Sequence, residues 1–352
     1  MKTGRGLRAS AGVIVAVGLL FGVVAPACWA AESAGPAPAG RKAFDKTAGD
    51  ALAWPSPWSV GTTLVYDQHY ESSRVEGGAT VRIVGSDVTE IVVVQGSDGG
   101  VVQRWTGRDP RFTGEGLPEA MESVMEAAVE SFRDLALDVA LDEDGAYRAI
   151  TNLEAVAPLY REVLERSIEA GIAAGAGDSA VDEEKVAEYR KAMATMVEAL
   201  SSPKVLEPEL ASTPAALNFI SHGGLVPGRR YIFEDSYANP LGTGDITARH
   251  TLLLEPMDDA PGRVGVEWTS QPDPAGVTKA LEAFVSTTFG AALSAEELRG
   301  AVEGLSGGAH FSTEVRYVVD VATGRVERME MVETQHLKDR QSTELTRLTL
   351  RQ

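Results

Sequence analysis

The sequence predicts an α+β fold: two similar antiparallel-sheet halves with packed helices and a long helical insertion between them. Three observations carry this. β-Branched and aromatic residues alternate with polar ones over 60–105 and again over 228–268 and 313–331, with Gly- and Asp-containing turns between the runs. From 153 to 200 the period changes, and apolar residues recur at helical spacing. The ten residues Gly228–Tyr237 also lie over Gly61–Tyr70 without a gap, matching glycine with glycine, apolar triplet with apolar triplet, acid with acid and Tyr with Tyr.

The order of segments along the chain follows. Residues 1–30 read as a signal peptide: Lys2, Arg5 and Arg8 precede an uncharged apolar run over 11–25, then Pro26-Ala27-Cys28-Trp29-Ala30. That run is shorter than the roughly twenty residues a permanent membrane helix needs. Cleavage after Ala30 leaves small residues at the two positions a signal peptidase reads. Cleavage before Cys28 would leave a lipid-anchored terminus, but Ala25-Pro26-Ala27 is a poor lipobox. The expectation is a periplasmic protein with no transmembrane helix after cleavage. Residues 31–53, rich in Ala, Gly and Pro, read as a flexible tether, and Trp54 and Trp58 mark the start of packing.

The first β-rich half spans 54–152. Strands are expected over 60–70, 79–84, 89–95 and 101–105, with turns at Gly77-Gly78, Gly85-Ser86-Asp87 and Asp98-Gly99-Gly100. A helix follows Pro118, its stripe formed by Leu117, Met121, Val124, Met125, Ala128, Phe132 and Leu135. A hairpin then turns on Asp142-Glu143-Asp144-Gly145. The helical insertion spans 153–226, with amphipathic helices over 153–172 and 181–200. Pro203, Pro208 and Pro214 are expected to end that block, leaving a short helix over 214–221 stopped at Gly223. The second half, 227–352, has strands over 228–237, 246–254 and 263–268, helix over 276–289 and 295–305, and a hairpin turning on Ala322-Thr323-Gly324. Val139-Ala140-Leu141-Asp142 before one glycine turn parallels Tyr317-Val318-Val319-Asp320 before the other, which suggests an internal duplication.

Composition excludes several chemistries. The formal charge is −19, and the first thirty residues contribute only positive charge to it, so nucleic acid and anionic membrane surfaces are repelled. Cys28 is the only cysteine, which rules out disulfides within the chain and thiolate metal sites. The five histidines are scattered, with no pair at ligand spacing. Gly304-Leu305-Ser306-Gly307-Gly308 fits a nucleophile elbow, and Asp320 and His336 follow in hydrolase order, with His222-Gly223-Gly224 like an oxyanion loop. The context is reversed, however: helix precedes Ser306 and strand follows it. No catalytic residue, metal site or cofactor is therefore expected.

The aromatic strand faces carry the functional expectation. Leu64, Tyr66 and Tyr70 fall on one face of their strand, and Tyr231, Phe233 and Tyr237 on the matching face of theirs. Trp105 and Trp268 are expected at strand ends. With Met121, Met125, Met193 and Met196 on covering helices, these residues would line an adaptable apolar pocket between two sheets that curve toward each other. The pocket candidates are thus Tyr66, Tyr70, Trp105, Met121, Met125, Tyr231, Phe233, Tyr237 and Trp268. The order of elements over 60–150 and 228–350 resembles the periplasmic lipoprotein-carrier class, in which a curved antiparallel sheet wraps over helices. That resemblance implies lipid or lipoprotein handling. The expected function is non-enzymatic binding of an apolar, lipid-like ligand or an envelope partner. The alternative is an interaction protein that uses the acidic helical block as its partner surface, and a hydrolase with Ser306 as nucleophile is the third reading.

Overall fold

The structure, a computed structural model, describes residues 51–352 except 77, 97–99, most of 118–134, 177–189, 192, 196, 199, 222, 240–244, 290–309 and 338–339. In chain order the strands are β1 (Leu52–Ala53), β2 (Thr63–Glu76), β3 (Ala79–Gln95), β4 (Val101–Glu115), β5 (Ala136–Leu141) and β6 (Tyr147–Ile150). Helices α1 (Leu153–Ala176) and α2 (Pro203–Asn218) follow, then β7 (Gly223–Leu225), β8 (Arg230–Ala238), β9 (Asp245–Pro256) and β10 (Arg263–Pro272). Helix α3 (Pro274–Phe289) leads to β11 (His310–Asp320), β12 (Val326–Leu337) and β13 (Arg340–Leu350). The α+β expectation stands.

The two β-rich halves do not form separate sheets facing each other. Antiparallel pairing of β13 with β2, from Arg340↔Glu76 to Leu350↔Tyr66, joins them edge to edge. The result is one eleven-stranded antiparallel sheet in the order β6-β5-β4-β3-β2-β13-β12-β11-β10-β9-β8, with β6 and β8 at its edges. The matched segments Gly61–Tyr70 and Gly228–Tyr237 accordingly lie on a central strand and an edge strand. At the end of the segment expected as a tether, Leu52 and Ala53 pair with β7 in a small second sheet. This seats Trp54, whose indole N–H donates to the Ile220 carbonyl at 3.0 Å.

Three local expectations are corrected. Gly85-Ser86-Asp87 makes no turn: β3 runs straight through it, with a bulge between Ser86 and Val88. Glycine has a different role there. A Cβ at Gly85 would come 2.4 Å from the ring of Phe112, so the glycine makes room for an aromatic side chain. Trp105 and Trp268 sit inside β4 and β10 rather than at their ends. The prolines do not break the chain into a short helix, because α2 is continuous from 203 to 218 with Pro208 and Pro214 within it. Pro203 occupies the first turn, where its missing N–H goes unused. The two internal prolines are buried, and tertiary packing holds the helix despite the lost donors.

Period-two alternation divides the sheet into two unlike faces. The outer face carries ion pairs between neighbouring strands: Arg104 with Asp138 at 2.8 Å, Arg347 with Glu330 at 2.7 Å, and Arg108 with Glu90. These are solvent-exposed contacts of small individual worth. The inner face is the core, where Tyr66, Ile91, Trp268, Val315, Tyr317 and Met329 are fully buried. Helix α2 covers part of it. Gln103 and Asn218 exchange two buried hydrogen bonds of 2.9 Å, and Tyr317 donates its hydroxyl to the Ala216 carbonyl at 2.9 Å. At the other end of the helix, Glu207 accepts from the Tyr147 hydroxyl at 2.8 Å and from the Ile150 amide at 3.0 Å.

Candidate functional site

The register of the central strands turns the inner face into three parallel rungs of directly paired side chains. The first consists of Leu254, Val266, Tyr317, Met329 and Leu348, apolar apart from one phenol. The second consists of Leu252, Trp268, Val315, Met331 and Thr346. The third consists of His250, Ser270, Thr313, Glu333 and Glu344. Each step along the strands is about 7 Å. Polarity therefore rises from hydrocarbon to carboxyl over about 14 Å of one buried surface.

Tyr66, Trp105, Trp268, Tyr231 and Phe233 occupy this face. Tyr66 is fully buried and donates its hydroxyl to the Val326 carbonyl at 3.0 Å, and burial holds its phenol proton on well above the usual range. Trp105 donates to Gln103 at 2.9 Å and joins the Gln103–Asn218 network. Trp268 is stacked on Phe219 with ring centroids 4.5 Å apart, and its indole N–H donates to His250 Nδ1 at 3.3 Å. Burial lowers the His250 pKa to about 4 and so keeps the ring neutral. On edge strand β8 the second and third rungs continue into Tyr231 and Phe233, both half-buried. Phe233 stacks on His250 at 4.9 Å. The Tyr231 hydroxyl accepts from the Val226 amide at 2.8 Å, and Arg229 lies over its ring.

Tyr237 belongs to β8, but its side chain lies outside the described residues, as do Met121, Met125 and Met196. Met193 is buried. Ser306 and His222 of the elbow-like motif also lie outside. Asp320 makes turn contacts instead, accepting from the Ala322 and Thr323 amides.

The acidic end of the third rung had no counterpart among the sequence candidates. Glu333 and Glu344 lie directly opposite each other on β12 and β13, both on the inner face, 5% and 6% exposed. Such a pair holds its Cβ atoms about 5 Å apart. Burial pushes the Glu333 carboxyl up to about 8, and burial together with the Glu333 charge raises Glu344 well above the usual range. Tyr70, half-buried on β2, lies against this pair, and its hydroxyl hydrogen-bonds toward Glu344. Its own phenol is raised by burial first and then by the Glu344 charge. Oε1 of Glu333, Oε1 of Glu344, and the hydroxyls of Ser270 and Ser342 are buried with no hydrogen-bond partner among the described residues. An unpartnered buried polar atom is costly, and three on the neighbouring strands β12 and β13, with Ser270 farther along the same face on β10, mark a place built to receive hydrogen bonds.

A separate cleft of about 470 Å³ opens where the β3 bulge meets β2, β4 and β13. Asp67, His69, Asp87, Asp109, Arg111, Arg347 and Arg351 line it, and Arg351 pairs with Asp67 at 2.5 Å. This charged lining is unsuited to an apolar ligand.

No family model matches the chain, and no curated protein matches it. Among solved structures it is similar to one described by lipid–protein interactions in lipovitellin, with 6% identity and a TM-score of 0.42. The match covers 84% of this chain and 25% of that one, so the chain spans about a quarter of that protein's length.

Proposed function

We propose that the protein is a non-enzymatic binding protein of the cell envelope that holds an apolar, lipid-like molecule against the inner face of its sheet. The observation that carries this reading is the continuity of that face with an open edge. The buried rungs ending in Leu252 and His250 run without interruption into the half-buried rings of Tyr231 and Phe233 on β8. Among the described residues no strand lies beyond β8. An apolar floor that reaches an unpaired edge offers a way in for a flexible hydrocarbon chain, and aromatic walls suit such a guest. The N-terminal segment supports an exported location, where free lipid requires a carrier or a holder.

The test is native mass spectrometry of the mature protein purified from the periplasm without detergent, followed by solvent extraction. A bound lipid released on denaturation is the expected result, and Phe233→Leu should lower its retention without lowering the melting temperature. A protein that carries no lipid and takes up none from mixed phospholipid vesicles would overturn the reading.

A further inference from the structure

The apolar floor does not end in hydrocarbon. It ends in the Glu333–Glu344 pair, and the chemistry there selects among amphiphiles. Resting on the binding function proposed above, we infer that this pair receives the head of the ligand, and that the head is a hydrogen-bond-donating cation of the primary ammonium type. Three observations lead there. The two carboxyls are directly paired on the inner face, and each has one oxygen without a partner among the described residues. The Ser342 hydroxyl, two residues before Glu344 on the same face, is also buried and unpartnered. Finally, the described residues contain no group of three or more His, Cys, Asp and Glu side chains able to hold a metal ion. Two carboxyls with one nearby hydroxyl suit the three donors of an ammonium group better than the coordination shell of a metal.

Like-charged carboxyls placed opposite each other across a strand pair are destabilising unless they are protonated or a cation lies between them. Burial keeps protons on both groups in the ligand-free state. An ammonium group would take over that role. Its charge lowers the carboxyl affinity for protons, so binding releases protons as new charge-assisted hydrogen bonds form. The three-rung polarity gradient fits the same guest, with hydrocarbon lying toward Trp268 and Tyr317 and the head at Glu333 and Glu344.

The experiment is calorimetric titration of the intact mature protein with dodecylamine, dodecan-1-ol and dodecanoate at pH 7, each below its micelle concentration. Dodecylamine should bind at least about tenfold more tightly than the other two, the worth of one charge-assisted hydrogen bond. In Glu333→Gln/Glu344→Gln this preference should fall below about twofold while dodecan-1-ol affinity stays unchanged. A second measurement needs no variant: the heat of dodecylamine binding to the unmodified protein should vary with the ionisation enthalpy of the buffer, reporting release of about one proton. Equal affinity for the three probes, tighter dodecanoate, or a buffer-independent heat each overturns the headgroup assignment and leaves apolar binding intact. Binding of none of the three overturns the binding function as well.

Discussion

Phe219, just beyond the end of α2, stacks on Trp268 in the middle of β10, with ring planes 24° apart. This contact and the Tyr317–Ala216 hydrogen bond fix the C-terminal end of the helix over the sheet. Replacing Phe219 by Ala removes a ring that is 6% exposed and leaves a cavity against Trp268. The expected loss is about 3–5 kcal/mol of unfolding free energy, measured by urea titration. A loss below about 1 kcal/mol would show that the helix is anchored elsewhere.

Glu333 sets a pH dependence of known sign. Its folded-state pKa, about 8, lies above the ordinary carboxylate value, so the folded state binds the proton more tightly than the unfolded chain. Stability from this group is fully present below about pH 4.5 and is lost as pH rises to about 8. Glu333→Gln cannot ionise and should gain stability over the natural protein between pH 5 and pH 9, by at most about 1.4 kcal/mol per pH unit. Parallel thermal melts of the two proteins across this range check it.

His250 acts in the opposite direction. Its pKa, lowered to about 4 by burial, means that the unfolded chain takes the proton first as pH falls. Its contribution is complete above about pH 6.5 and is lost on acidification to about pH 4. His250→Gln keeps a side-chain acceptor for the Trp268 indole, so the stability difference between the two proteins should shrink over that window. Between about pH 4.5 and 6.5 the His250 and Glu333 slopes oppose each other. A double variant should therefore show a flatter profile there than either single one.

Gly324 turns the β11–β12 hairpin with φ of +69°, and a Cβ there would lie 1.8 Å from the Pro55 carbonyl oxygen. That atom is backbone and cannot swing aside. Gly324→Ala should cost more than about 2 kcal/mol and disturb the Trp54 environment, seen as a change in tryptophan emission. Gly262→Ala, with positive φ but open space around it, serves as the comparison and should cost only the backbone term of about 1–2 kcal/mol.

Most strands of the sheet were legible from alternation, β13 not among them, and so were the face shared by Tyr66 and Tyr70 and the aromatic face of Tyr231 and Phe233. What alternation could not tell was which face of a polar strand turns inward. In β13, Ser342, Glu344, Thr346 and Leu348 alternate with Thr343, Leu345 and Arg347, and Leu345 pulls any reading toward the wrong side. Pairing with Met329 and Met331 decides the matter, sending Leu348 and with it Glu344 into the core. The acidic rung is thus a product of register between strands and has no local signature. Gly85 misled for a related reason, since a glycine that admits a distant ring looks like a glycine that turns the chain. Pro208 and Pro214 misled because propensity is local and burial is not.

The seam between β2 and β13 has a consequence for how the chain acquires its shape. Asp67 and Arg351 meet across it from 284 positions apart, yet it lies in the interior of the sheet with five strands on one side and six on the other. Each half can form its meander from neighbouring segments, but the middle of the sheet can be sealed only when the last strand arrives. Closing so large a loop is entropically costly and slow. Until then, two half-built sheets expose unpaired edges at β2 and β12, the kind of edge that invites pairing with other chains.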